Sequence, residues 1–132
     1  KKIRQLTHKT IGDVAKEIEA FHMNKAVAKL RELSNALGEF VPRDDAEKWA
    51  LREGLETLVR CINPMIPHLA EELWQMLGHR DMLTQTAWPK ADEKIAQAQT
   101  VTIAVQVNGK LRATIVLPAS ADQKLAEEAA LA

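Results

Sequence analysis

The chain has 132 residues, of which 46% are hydrophobic and 27% charged, enough for one domain or for a small domain plus part of a second. Eighteen Lys and Arg balance eighteen Asp and Glu, so a globally basic footprint is excluded and any anionic partner has to be met by a local patch. The single Cys excludes an internal disulfide and points to a reducing, cytoplasmic compartment; no apolar run approaches the ~20 residues of a membrane span, and no signal-peptide pattern is present.

Taken in order, the elements begin with a helix from about Ile3 to Phe21, whose stripe is Ile3, Thr10, Ile11, Val14, Ile18 and Phe21. Lys1, Lys2, Arg4, His8 and Lys9 crowd its N-terminal part. Cations there oppose the helix dipole, so either the helix starts further upstream or something anionic lies nearby. Asn24 is the expected N-cap of a second helix that ends at Gly38, with Met23, Ala26, Val27, Leu30, Leu33, Ser34 and Leu37 inside and Lys25 and Lys29 outside. After Pro42, Asp45 is the expected cap of a third helix, about Ala46 to Ile62. This one has two apolar faces: a stripe of Leu51, Leu55, Leu58, Val59 and Ile62, and a narrower strip of Ala50, Gly54 and Cys61 where another helix can approach closely. Asn63-Pro64 ends it. Pro67 suits the first turn of a fourth helix, with Leu69, Ala70, Leu73, Met76 and Leu77 inward and Gly78 closing it. Four amphipathic helices with short connections predict an antiparallel bundle over residues 1–80.

Residues 81–99 read as a connecting segment in which Trp88-Pro89 tacks the chain onto the bundle and Lys90 to Gln99 offers a short helix. Residues 100–132 read as a second, truncated unit. Val101 to Leu117 forms two β-rich runs around Asn108-Gly109, a strong hairpin signal, and Ser120 with Gln123 fits a capping box for a last helix. The predicted class is therefore mainly α, α+β overall: an antiparallel helix bundle followed by a small β-hairpin-plus-helix unit. The face pattern favours a three-residue loop, Val107 to Gly109, that pairs Gln106 with Lys110 and Val105 with Leu111 and leaves Gly109 left-handed. Lys110 and Arg112 would then share a polar face with Thr102, Gln106 and Thr114. Val107 opposite Lys110 would refute that register. The start on Lys1-Lys2 and the end at Ala130-Leu131-Ala132, inside a helical pattern without a stop signal, lead to the expectation of a piece of a longer chain.

The chemistry-bearing residues do not assemble into a catalytic set. His8, His22, His68 and His79 lack metal-ligand spacing, and one Cys cannot complete a zinc set. Glu71-Glu72 project about 100° apart on a helix and read as a solvated face. Asp44-Asp45 reads as helix capping, Cys61 as a packed thiol, and Asn108-Gly109-Lys110 as a turn without phosphate-loop spacing. What remains is a set of basic residues for phosphate contact: His8 and Lys9 on the first helix, Lys25 and Lys29 on the second, Lys110 and Arg112 on the hairpin.

Several runs carry a resemblance: His8-Lys9-Thr10-Ile11, Met23 to Val27, Glu32 to Asn35, Asn63 to His68 with Glu71-Glu72-Leu73-Trp74, and Trp88-Pro89. Together they resemble the helical tRNA-binding ("anticodon-binding") domain of class I aminoacyl-tRNA synthetases for branched aliphatic amino acids. The run Val105 to Arg112, VQVNGKLR, resembles the start of the C-terminal domain of bacterial leucyl-tRNA synthetases. Met23 departs from the aromatic residue the family more often has. The HIGH and KMSKS motifs and an editing domain are not in this sequence. The resemblance implies a non-catalytic, tRNA-binding portion of a leucine-tRNA ligase. Its partners would be tRNA(Leu), held through its body by shape and phosphate position, and the catalytic domain of the same chain, with no membrane and no DNA. It implies no cofactor for this portion, and ATP and magnesium for the catalytic portion. Two alternatives stand beside it: a protein-interaction helical module, using the small-residue strip and Trp49, and the equivalent region of a valyl- or isoleucyl-type synthetase.

Overall fold

The apolar spacing of the first 80 residues is realised as four helices: α1 (Lys2–Glu19), α2 (Met23–Glu39), α3 (Asp45–Ile62) and α4 (Pro67–Met76). The structure, a computed structural model, describes residues 1–97, 100–107, 110–118, 123, 127 and 129, with backbone alone at 100–102, 105–107, 110–112 and 116. The chain falls into two units, Lys1–Gln97 and Ala98–Ala132.

Three apolar clusters show how the helices of the first unit run. Ile3 at the start of α1 meets Leu33 and Leu37 late in α2 and Ala50 early in α3. Val14, later in α1, meets Ala26 and Leu30 early in α2 and Cys61 late in α3. So α2 is antiparallel to both neighbours. A third cluster joins Val59 to Ala70 and Trp74, and Arg52 of α3 donates to the carbonyl of Leu77, so α4 runs back along α3. The small strip of α3 is the point of closest approach. A Cβ built on Gly54 would lie 2.5 Å from Leu37 Cδ2 and 3.2 Å from Thr7 Oγ1. Beside it, Ala50, Thr57 and Cys61 are buried, whereas Leu51, Leu55 and Leu58 of the leucine stripe are only half-buried.

Several details differ from expectation, each for a local reason. Phe21 adopts a left-handed φ of 58° in the reversal between α1 and α2 and is 89% exposed instead of completing the α1 stripe. The carbonyl of His22 accepts from the N–H groups of Lys25 and Ala26, so α2 starts at Met23 and Asn24 lies inside it; Gly38 continues the helix, which ends at Glu39. Asp44, not Asp45, caps α3: its carboxylate accepts from the Glu47 N–H at 2.7 Å, and Glu47 reaches back to the Arg43 N–H at 2.8 Å. Pro67 does open α4 and Gly78, at φ 92°, follows its end, but Leu69 and Met76 face outward and Trp74, 2% exposed, is the side chain that anchors the helix.

The segment after α4 packs within the first unit. A short 3-10 turn, Leu83–Gln85, seats Leu83 in the third cluster, and α5 (Glu93–Ala96) is capped by Asp92, which accepts from the Lys94 N–H at 2.9 Å. Glu71 is not a solvated surface acid. Its carboxylate accepts from the N–H groups of Leu83 and Thr84 at 2.8 and 3.0 Å, and these bonds hold its pKa below the usual carboxylate range. Trp88 is near half-exposed while Pro89 is buried.

In the second unit β1 (Thr100–Val107) pairs antiparallel with β2 (Lys110–Pro118). Val107 stands opposite Lys110 and Gln106 opposite Leu111, so the three-residue loop is refuted, while the left-handed Gly109 expected there lies outside the described residues. The register then shifts between Val105 and Gln106: Val105 pairs with Ala113, which makes Arg112 the extra residue of a bulge. Beyond it Ile103 opposes Ile115 and Val101 opposes Leu117. The apolar match that pointed to a longer loop is thus achieved by a bulge. Lys110 does not gain Gln106 as its cross-strand neighbour. The capping box expected at Ser120 lies outside the described residues.

Candidate nucleic-acid interface

The outer face of α3 carries Trp49, Arg52, Glu53, Glu56 and Arg60 at helical spacing, and α1, α4 and the segment after it bring partners to this face. Arg4 of α1 holds Glu53 in a fork, Nε to Oε2 at 2.6 Å and Nη2 to Oε1 at 3.1 Å, with its guanidinium 4.7 Å from the centre of the Trp49 ring. This explains a cation in the first turns of α1: its anion is on a neighbouring helix.

His8 joins the same carboxylate. Its Nδ1 accepts the backbone N–H of Asp92 at 3.0 Å, which places the ring proton on Nε2, 3.2 Å from Glu53 Oε1. At 8% exposure His8 is an internal strut between α1, α3 and the start of α5. Burial alone would raise the pKa of Glu53, but the bonds from Arg4 and His8 outweigh it and hold the carboxyl below its ordinary value; the same bond raises Arg4. One turn on, the pattern repeats. Glu56 accepts from Arg52 Nε at 2.7 Å and lies 2.8 Å from His79 Nε2, and the His79 ring stacks on Trp74 at 3.6 Å and 5°. Desolvation opposes ionisation here too, and again the two bonds prevail and depress the pKa.

The other expected contact residues are dispersed. Lys9 is exposed on α1, Lys25 is exposed on α2, and Lys29 is half-buried with its Nζ 3.2 Å from Glu32. The side chains of Lys110 and Arg112 lie outside the described residues. The structure brings His8 to the α3 face and leaves Lys9, Lys25 and Lys29 on the surfaces of α1 and α2.

The feature that sequence reasoning missed is a groove of about 330 Å³ along that α3 face, lined by Trp49, Arg52, Thr57, Arg60, Pro89 and Lys90, with His8, Glu53 and Glu56 in its wall. The signal was present in Trp49, Arg52, Glu53, Glu56 and Arg60, a charged stripe with an aromatic at its head. Lys90 could not be placed with them, because it comes from a connecting segment. Among the described residues no group of three or more His, Cys, Asp or Glu could hold a metal ion, and no helix is long and apolar enough to cross a membrane. Burial pushes the Cys61 thiol up to about 12, which leaves it without thiolate character at neutral pH.

Residues 1–128 match the family described as the anticodon-binding domain of tRNA ligase. The chain belongs to that family. Among curated proteins it is 56% identical over 131 residues to the leucine–tRNA ligase of Paramagnetospirillum magneticum, covering 99% of this chain and 15% of that protein. It is 46% identical over 125 residues to the leucine–tRNA ligase of Rhodospirillum rubrum, covering 95% and 14%. Among solved structures it is similar to the LeuRS of Agrobacterium radiobacter K84, determined as a ternary complex with tRNA and LeuAMS, with a TM-score of 0.79 and 32% identity over 99% of this chain and 16% of that one. This anticodon-binding-domain chain thus spans about 15% of the length of the proteins it matches.

Proposed function

We propose that this chain is the tRNA-holding portion of a leucine–tRNA ligase, acting in the cytoplasm and positioning tRNA(Leu) for a catalytic domain of the same polypeptide. The reading is carried by one observation: a stretch 56% identical to a leucine–tRNA ligase matches nearly end to end while covering only 15% of it. In such an enzyme ATP and magnesium belong to amino-acid activation elsewhere in the polypeptide. The bundle supplies rigid helices that carry cations. Lys9, Lys25 and Lys29 meet phosphates from α1 and α2, Lys110 and Arg112 do so from the hairpin, and His8 braces α1, which presents Lys9. With a formal net charge of zero the contact is local, and affinity falls with salt in proportion to the few phosphates engaged.

The test is a tRNA(Leu) titration of the whole polypeptide between 50 and 200 mM salt with the Lys25→Glu/Lys29→Glu double variant alongside. The unsubstituted protein is expected to bind, and the double variant to bind several-fold more weakly with a shallower salt dependence. Absence of any complex at low salt would sink the proposal.

A further inference from the structure

We infer that the α3 groove between Trp49 and Lys90 is a seat for one unpaired nucleotide of the bound RNA, its base against Trp49 and its phosphate at Arg60 and Lys90. The inference rests on the tRNA reading above and goes beyond it, because none of these residues was a contact expected from the sequence.

Charge comes first. The two carboxylates in the groove wall are already occupied: Glu53 by Arg4 and His8, Glu56 by Arg52 and His79. Arg60 and Lys90 line the groove and have no carboxylate partner among the described residues. The groove therefore offers positive charge that the protein does not itself neutralise. Phosphate oxygens are strong acceptors for charged donors of this kind.

Shape and stacking come next. Trp49 is 56% exposed although it belongs to a well-packed helix, and it lines the groove with Arg4 over its ring. An indole backed by a guanidinium is a ready platform for a base, which every nucleotide presents. A volume of about 330 Å³ lies at the lower end of small-ligand sites. It suits a single extruded nucleotide and is far too confined for a duplex face, in keeping with RNA recognition through unstacked residues. Arg60 packs on Trp74, its guanidinium 5.1 Å from the ring centre, which orients it beside the groove.

The experiment uses the whole polypeptide and a leucine-type tRNA transcript, with Kd measured across salt for Trp49→Leu, Trp49→Phe and Lys90→Gln. Trp49→Leu is expected to weaken binding about 5- to 100-fold, the effect of one lost base stack, while Trp49→Phe stays near the unsubstituted protein. Lys90→Gln is expected to lower the slope of log Kd against log salt by about 0.7, one single-strand phosphate. Trp49 and Lys90 are exposed, so both replacements leave the core intact. Unchanged affinity and slope in all three variants overturns the inference while leaving the tRNA reading standing. A loss of thermal stability in Trp49→Leu with unchanged affinity also overturns it, because Trp49 would then serve only as the partner of Arg4. If the unsubstituted protein forms no complex at all, the tRNA reading fails and takes this one with it.

Discussion

The two apolar faces of α3 are packed by opposite means. On one, Ala50, Gly54, Thr57 and Cys61 are small, and α1 and α2 close over them until Leu37 and Thr7 nearly touch the Gly54 backbone. On the other, the larger Leu58 and Ile62 form the floor of an apolar groove of about 590 Å³ between α2 and α4, with Val27, Ile66 and Leu69 at its sides about half exposed. Residue size alone would rank these faces the other way. Burial here follows how near a neighbouring backbone can come, and small residues are what permit a close approach.

The sharpest way to break that comparison is to put volume into the tight face. Gly54→Val adds a branched side chain where a single Cβ already lies 2.5 Å from Leu37 Cδ2. Leu37 is buried among Ile3, Leu33 and Ala50 and has little room to retreat. A loss of about 2–3 kcal/mol is expected, read as a lower urea midpoint at constant slope. A stability within ~0.5 kcal/mol of the unsubstituted protein would mean that the close approach is not a constraint.

The charged outer face of α3 gives the second test. The Glu53 pKa is depressed in the folded chain, so its contribution to stability is present above the ordinary carboxylate value of about 4.3 and is lost as pH falls through the lower folded value. Glu56 acts in the same direction. Unfolding free energy should therefore fall below about pH 5 as these carboxylates protonate. Glu53→Gln should cost about 1–2 kcal/mol at pH 7, because it removes charge-assisted bonds to Arg4 and His8, and the two pH curves should converge in acid. Parallel curves down to pH 3 would show that the Arg4–Glu53–His8 cluster does not stabilise the fold.

What the sequence made legible, and what it did not, divides along the same physical line. Spacing alone located the four helices, the close strip at Gly54 and the start of α4 at Pro67, because each depends on residues within one or two turns. The tasks of His8, Glu71 and Arg4 were hidden. Their partners lie 84, 12 and 49 positions away, and no local rule couples such pairs. The hairpin was half legible: alternation correctly called for apolar matching across the strands, but a bulge at Arg112 provides it where a longer loop was expected. The candidate groove was the least legible part, since Lys90 reaches it only through a segment whose path depends on Pro89 and Glu71.

The smallest expected effect belongs to the open face. Leu69, 49% exposed, sits on α4 beside the apolar groove, while Leu33 and Leu37 are enclosed. Truncating a buried leucine to alanine costs about 2–5 kcal/mol through lost transfer energy and the cavity left behind. At Leu69 the cavity contribution vanishes, since solvent already reaches the site, and only part of the apolar area is lost. Alanine also carries a higher helix propensity than leucine, which offsets some of the remainder. Leu69→Ala should therefore shift stability by less than ~1 kcal/mol, whereas Leu33→Ala, measured in the same denaturant series, should fall within the buried range. If the two substitutions cost the same in the whole polypeptide, the groove between α2 and α4 is covered there, and the contrast between the two faces of α3 belongs to this stretch alone.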